Sequence, residues 1–205
     1  MSAAAPELLL ATARAGMEPR TYRELVDRVV AEHRTTGPVQ SEELIRYTLL
    51  NRTRMERNAR TVKLLPELEA LLRAAPSMTW LVLTEAWCGD ASQCTPVMDL
   101  MAAAAPRITL RYVLRDEHLA LMDHYLTRGG RGIPLLIAFD AAGKEHFHWG
   151  PRPAPPQAVV WAWRDTPEDQ RVPKSKMYEQ VHAWYAADKG VTMQREFLAL
   201  LEPGS

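Results

Sequence analysis

The stretch Trp87–Pro96, WCGDASQCTP, holds the residues of this chain best suited to chemistry. It follows an apolar run at Trp80–Thr84 (WLVLT) that reads as a buried strand. A cysteine at the point where a strand hands over to a helix places its sulfur near unpaired backbone N–H groups and the positive end of the helix dipole. Both favour the thiolate, which is the reactive nucleophile. Cys88 is therefore the candidate catalytic residue. The position three residues on, where a second cysteine would complete a dithiol, is Ala91. A reactive thiol is expected here; a self-sufficient redox pair is not.

The neighbours of Cys88 pull in different directions. Asp90 suits a helix start, yet its negative charge disfavours a nearby thiolate. Cys94 lies six residues along the same helix, which is about 9 Å of rise and a turn of roughly 240°. A disulfide needs Cα atoms within about 7 Å, so Cys94 reads as a structural core thiol and not as a resolving partner. His146 and His148 share one face of an expected strand. Two ligands with no suitably spaced third do not make a zinc site, so no metal is expected.

Helices and strands must position these groups. Residues 1–17 are Ala-rich and aperiodic and read as a flexible tail. From Pro19, the residues Tyr22, Leu25, Val26, Val29 and Val30 line one helical face. Ser41 starts a second helix and Pro66 a third. The middle of the chain alternates. Strands are expected at Thr79–Glu85, Ile108–Leu114 and Pro134–Phe139, with a hairpin partner at Lys144–Trp149. Helices are expected at Cys88–Ala105 and Asp116–Thr127, the latter with Leu119, Met122 and Leu126 inward. Strands alternating with helices imply parallel pairing, and the final hairpin adds an antiparallel edge. WGPRPAPP, Trp149–Pro156, reads as an extended polyproline-like segment, and two helices are expected after it. The division is a tail at 1–17 and one domain at 18–205: N-terminal helices over 18–75, a core over 76–150 and a helical extension over 151–205.

A strand, Trp-Cys-Gly, a helix with proline eight residues after the cysteine, then Gly-Ile-Pro before a β-hairpin: this order resembles the thioredoxin fold over roughly Thr79–Trp149. The whole chain resembles a bacterial branch of that superfamily with a Trp-Cys-Gly-Asp-Ala signature. The resemblance implies an α/β fold with a central mixed sheet, helices on both faces, and extra N- and C-terminal helices. It makes Cys88 the attacking thiol, Pro96 the kink proline and Pro134 a cis-proline facing the sulfur. An X-Pro bond adopts cis at a cost of only about 0.5–1 kcal/mol. Ile133 would then offer its backbone to an incoming ligand in strand-like fashion, and Arg131 a cation. Trp87, Gly89, Asp90, Arg131, Ile133 and Pro134 form the expected substrate-binding set.

Composition narrows the function further. The 205 residues carry 25 basic and 25 acidic side chains, so there is no general pull toward nucleic acid or an anionic membrane. Arg52, Arg54, Arg57 and Arg60 read as one solvated helix face. No run is long and apolar enough to span a bilayer, and the N-terminus lacks a secretory pattern. With two cysteines, a reducing cytoplasmic setting is expected. No cofactor motif appears. The leading reading is single-cysteine thiol–disulfide exchange with a protein disulfide or a low-molecular-weight thiol. The alternatives are a non-catalytic binding module on the same fold and a cysteine-based oxidant sensor.

Overall fold

The computed structural model describes residues 4–202. Four strands form one mixed sheet in the order β2-β1-β3-β4. β1 (Met78–Thr84) runs parallel to β2 (Ile108–Leu114), with Met78 opposite Ile108 and Thr84 opposite Leu114. β3 (Leu135–Phe139) is antiparallel to β1, and β4 (Glu145–Trp149) is antiparallel to β3. A parallel pair requires a crossover, here α5 (Gly89–Ala103), with Pro96 inside it. Because strand side chains alternate in direction, β1 serves two cores. Trp80 and Val82 join Met98 and Met101 of α5 on one face, while Leu81 and Leu83 join Ile137 and Phe139 on the other.

Three helices precede the sheet beyond the N-terminus: α2 (Pro19–Ala31), α3 (Glu42–Thr61) and α4 (Pro66–Ala74). Ser41 caps α3, its hydroxyl accepting from the Leu44 N–H at 3.3 Å. α3 packs along α5. This arrangement is the expected α/β fold with a mixed sheet and added terminal helices.

Four local expectations need correction. The segment read as a flexible tail forms helix α1 (Pro6–Ala15), apart from residues 1–3, which lie outside the described residues. Leu9, Thr12 and Ala13 are buried against the second face of the sheet, and Met17 exchanges two 2.8 Å backbone hydrogen bonds with Tyr112. The apolar stripe is short and built from small residues, so its period is faint. Next, Asp116–Thr127 is not one helix. A 3-10 turn at Arg115–Glu117 gives way to the four-residue α6 (Leu119–Met122). His118 leaves the helical region at φ −128°, ψ 43°, which shifts the phase and buries Leu121 and Met122 while Leu119 stays exposed.

The proline-rich segment is not an extended run: after a cis Gly150–Pro151 peptide the chain bends at Pro151 and Arg152, and it is non-helical only as far as Pro153. α7 (Ala154–Asp165) then begins, with Pro155 and Pro156 in its first turn, where the missing N–H groups would have no intrahelical partner anyway. Finally, among the described residues three α-helices follow β4, not two: α7, α8 (Lys174–Asp188) and α9 (Val191–Leu201). Gly190, at φ 78°, turns the chain between α8 and α9.

If α1 is part of the core, Leu9→Ala will destabilise the protein by about 2–4 kcal/mol, as expected for a fully buried leucine. Urea denaturation measures this; an unchanged midpoint would return the segment to a tail.

Candidate functional site

β1 ends at the buried Thr84, the buried Glu85 follows it, and the chain turns through Ala86 and Trp87 to Cys88. Cys88 is the N-cap of α5, with φ −77° and ψ 116°. Its N–H donates to the Glu85 carbonyl at 3.1 Å, which ties the turn to the strand end. The thiol Sγ accepts from the Ala91 N–H at 3.4 Å and donates to the Ile133 carbonyl at 3.2 Å. The Ile133–Pro134 peptide is cis and leads directly into β3. Trp87 is half-buried, with the Arg115 guanidinium 4.9 Å above its ring.

Cys88 is only 8 % exposed, and this changes its chemistry. Burial first, then the Asp90 carboxylate, push its pKa up from 9.0 to about 12, while the Ala91 N–H and Arg152 pull back. A rise of that size is worth about 4 kcal/mol in favour of the thiol. A helix terminus supplies roughly 0.3–2 kcal/mol the other way. Burial wins, so the resting group is a protonated thiol even though its place at a helix start by itself favours the thiolate.

Asp90 is the centre of a buried polar knot. Its Oδ2 accepts from Arg152 Nη2 at 2.6 Å and its Oδ1 from the Tyr185 hydroxyl at 3.0 Å. The Tyr185 hydroxyl also lies 3.7 Å from Cys94 Sγ. Sequence reasoning missed Arg152 and Tyr185, which lie 62 and 95 residues from Asp90. One sits in the segment read as extended and polyproline-like, and the other on a helix expected after it. The cation that acts on Cys88 is thus Arg152. Arg131 is exposed and forms a forked pair with Asp123, at 2.7 and 2.9 Å.

Gly89 faces α8. A Cβ there would lie 2.9 Å from His182 Cε1 and 3.6 Å from Arg54 Nη1. Of the four arginines read as a solvated face only Arg60 is exposed; Arg52, Arg54 and Arg57 are half-buried, and Arg57 reaches Gln93 on α5. Cys94 is buried in the core on the opposite face of the sheet from the Cys88 cluster, and both cysteines are free. His148 pairs with Glu145 at 2.7 Å, and no group of three or more metal-binding side chains occurs among the described residues. Among those residues, no helix is long and apolar enough to cross a membrane.

His182 carries a pH signature. Burial, then Arg54, lower its pKa from 6.5 to about 4, so it is neutral in the folded protein near neutrality. The unfolded chain takes up that proton first on acidification. The resulting stability is full above about 6.5 and is lost as pH falls through about 4. His182→Gln will remove part of the acid-side loss seen in urea denaturation between these pH values; identical pH profiles would contradict it.

A family model described as Thioredoxin matches residues 37–169. No curated protein matches the chain. Among solved structures, the chain is similar to a protein of unknown function from Pseudomonas aeruginosa, with a TM-score of 0.57 and 19 % identity. That likeness covers 76 % of this chain and 86 % of the other. It is also similar to an HIV epitope-scaffold, with a TM-score of 0.55, 18 % identity, and 78 % and 92 % covered. At these identities the two structures speak for the fold alone. The family match spans more than half of the chain, and it takes in the strand, the Cys88 turn and the Ile133–Pro134 loop: the chain belongs to the thioredoxin family.

Proposed function

We propose that the protein carries out single-cysteine thiol–disulfide exchange at Cys88 with a low-molecular-weight partner, in a reducing, cytoplasmic setting. The observation that carries this reading is the seat of the sulfur. Cys88 Sγ lies between the Ala91 N–H and the Ile133 carbonyl, so a ligand aligned on the Ile133 backbone meets the thiol. The close stand of His182 on α8 over Gly89 favours a small partner over a protein.

The exchange runs as follows. Cys88 gives up its proton, and the thiolate attacks one sulfur of a small disulfide. A Cys88 S–S bond forms, the original S–S bond breaks, and the departing half leaves as a thiolate that takes up a proton. A second small thiol, as thiolate, then attacks the ligand sulfur of the mixed disulfide: a new small-molecule S–S bond forms, the Cys88 S–S bond breaks, and Cys88 leaves as a thiolate that is reprotonated. No second protein cysteine is needed. Arg152 and the Ala91 N–H favour the thiolate; Asp90 and burial oppose it.

A second reading, a non-catalytic binding module, is favoured by one observation: the thiol is buried and held protonated, with its pKa pushed up to about 12. Reactivity separates the two. Cys94→Ser protein incubated with glutathione disulfide will gain one adduct on Cys88 by mass spectrometry and lose it on adding a reduced thiol. Cys88→Ser will gain none. Absence of the adduct in folded Cys94→Ser protein would leave the binding module. The charge balance makes a further prediction in the same background. Asp90→Asn will move the pH midpoint of Cys88 alkylation downward, because the second largest influence raising it is removed. An unchanged or raised midpoint would reject that role for Asp90.

A further inference from the structure

The first turn of α5 is flanked by more positive charge than its one acid balances. Arg54 and Arg57 project from α3 toward it. Arg54 Nη1 donates to the Asn51 side-chain carbonyl at 2.9 Å, and Arg57 Nη2 donates to the Asn58 and Gln93 side-chain oxygens, each at 3.2 Å. Gln93 is itself buried on α5, and its Nε2 lies 3.4 Å from His182 Nδ1 on α8. Three helices thus bring one polar cluster together beside Gly89; a Cβ there would meet His182 at 2.9 Å, so the glycine itself is covered and the notch is the part-exposed edge where Arg54 and Arg57 meet His182.

Neither Arg54 nor Arg57 is paired with a carboxylate among the described residues, whereas Arg52, on the same helix, holds both Asp27 and Glu56. Asp90 is near, but its two oxygens are taken by Arg152 and Tyr185. Arg152 keeps a buried Nε with no partner among the described residues. Three guanidinium groups therefore face one carboxylate. Burial and the neighbouring Arg57 both work against the charge on Arg54, and His182 gives up its proton in the same surroundings. Half-buried cations of this kind are stabilised by an anion, and the planar guanidinium fork fits a carboxylate in particular.

We infer that the notch between Arg54, Arg57 and His182 at Gly89 binds a carboxylate of a small thiol or disulfide, whose sulfur thereby reaches Cys88. This rests on the exchange reading for the identity of the ligand's sulfur. Gly89 and Cys88 are consecutive, with Cα atoms about 3.8 Å apart, so one small molecule spans notch and thiol. The exchange step is the one given above; the notch adds selection for charge.

A matched pair of alkylating probes tests the inference. Iodoacetate and iodoacetamide have nearly the same size and both require the thiolate, so the ratio of their rates cancels the thiol pKa and reports local charge. In Cys94→Ser protein at alkaline pH, the iodoacetate-to-iodoacetamide ratio at Cys88 will exceed that of free cysteine. It will fall roughly tenfold in Arg54→Gln/Arg57→Gln, as expected when charge-assisted contacts are removed. Arg60→Gln, exposed on the same helix, will keep the ratio. A wild-type ratio no higher than that of free cysteine would overturn the inference. So would a ratio that the double substitution leaves unchanged.

Binding of S-methylglutathione, an anionic thioether that cannot exchange, provides the independent arm by calorimetry. Binding by the wild-type protein that weakens roughly tenfold in the double variant supports the notch even if Cys88 forms no mixed disulfide. No binding by the wild-type protein would overturn the notch and leave the exchange reading standing on its own adduct.

Discussion

The ion pair between Asp90 and Arg152 is the contact on which the site depends. Both side chains are largely buried, at 6 % and 11 % exposure, and they meet at 2.6 Å. Taking two charges out of water costs several kcal/mol each, so neither is tolerable there without the other. The pair joins the first turn of α5 to the loop after β4, while the Tyr185 hydroxyl on Asp90 brings in α8. The C-terminal helices are thereby locked against the Cys88 turn, and the local charge of Cys88 is set by residues far away in the chain.

That lock has a chemical consequence. A helix start with an N-capping cysteine is a thiolate-stabilising arrangement in water. Here the same cysteine is enclosed with Ile133, Leu121 and Met122 in the second core. Burial removes the hydration that a thiolate needs, and Asp90 adds repulsion. Donors that favour the thiolate are present, yet the resting sulfur keeps its proton. In the exchange we propose, reaction at such a sulfur is controlled by access and by what the ligand brings, which favours a selective partner.

Much of the fold was legible from local pattern. β1 and β2 are short apolar runs bounded by polar or proline residues, Ser41 is a sound helix cap, and Gly-Ile-Pro before a hairpin locates β3. The errors have physical causes. The buried stripe of α1 is Leu9, Thr12 and Ala13, too small and mixed to register as a hydrophobic face. Pro155 and Pro156 look like helix breakers until their place in a first turn is known. His118 interrupts a stretch whose residues otherwise suit a helix, so that Leu121 joins Met122 in the core while Leu119, expected inward, is exposed.

The site divides along the same line. Cys88, its capping position and the missing cysteine at Ala91 are properties of consecutive residues, and the sequence alone determined them. So too was the remoteness of Cys94, which follows from helix geometry. The partners of the site were decided only by the tertiary structure. Arg152 and Tyr185 converge on Asp90, Arg54 and Arg57 turn inward along α3, His182 closes over Gly89, and Arg131 turns away to Asp123. Charge pairing and desolvation act through space, over separations of tens of residues, and a pattern read along the chain carries only the part of that physics that neighbours in sequence impose on one another.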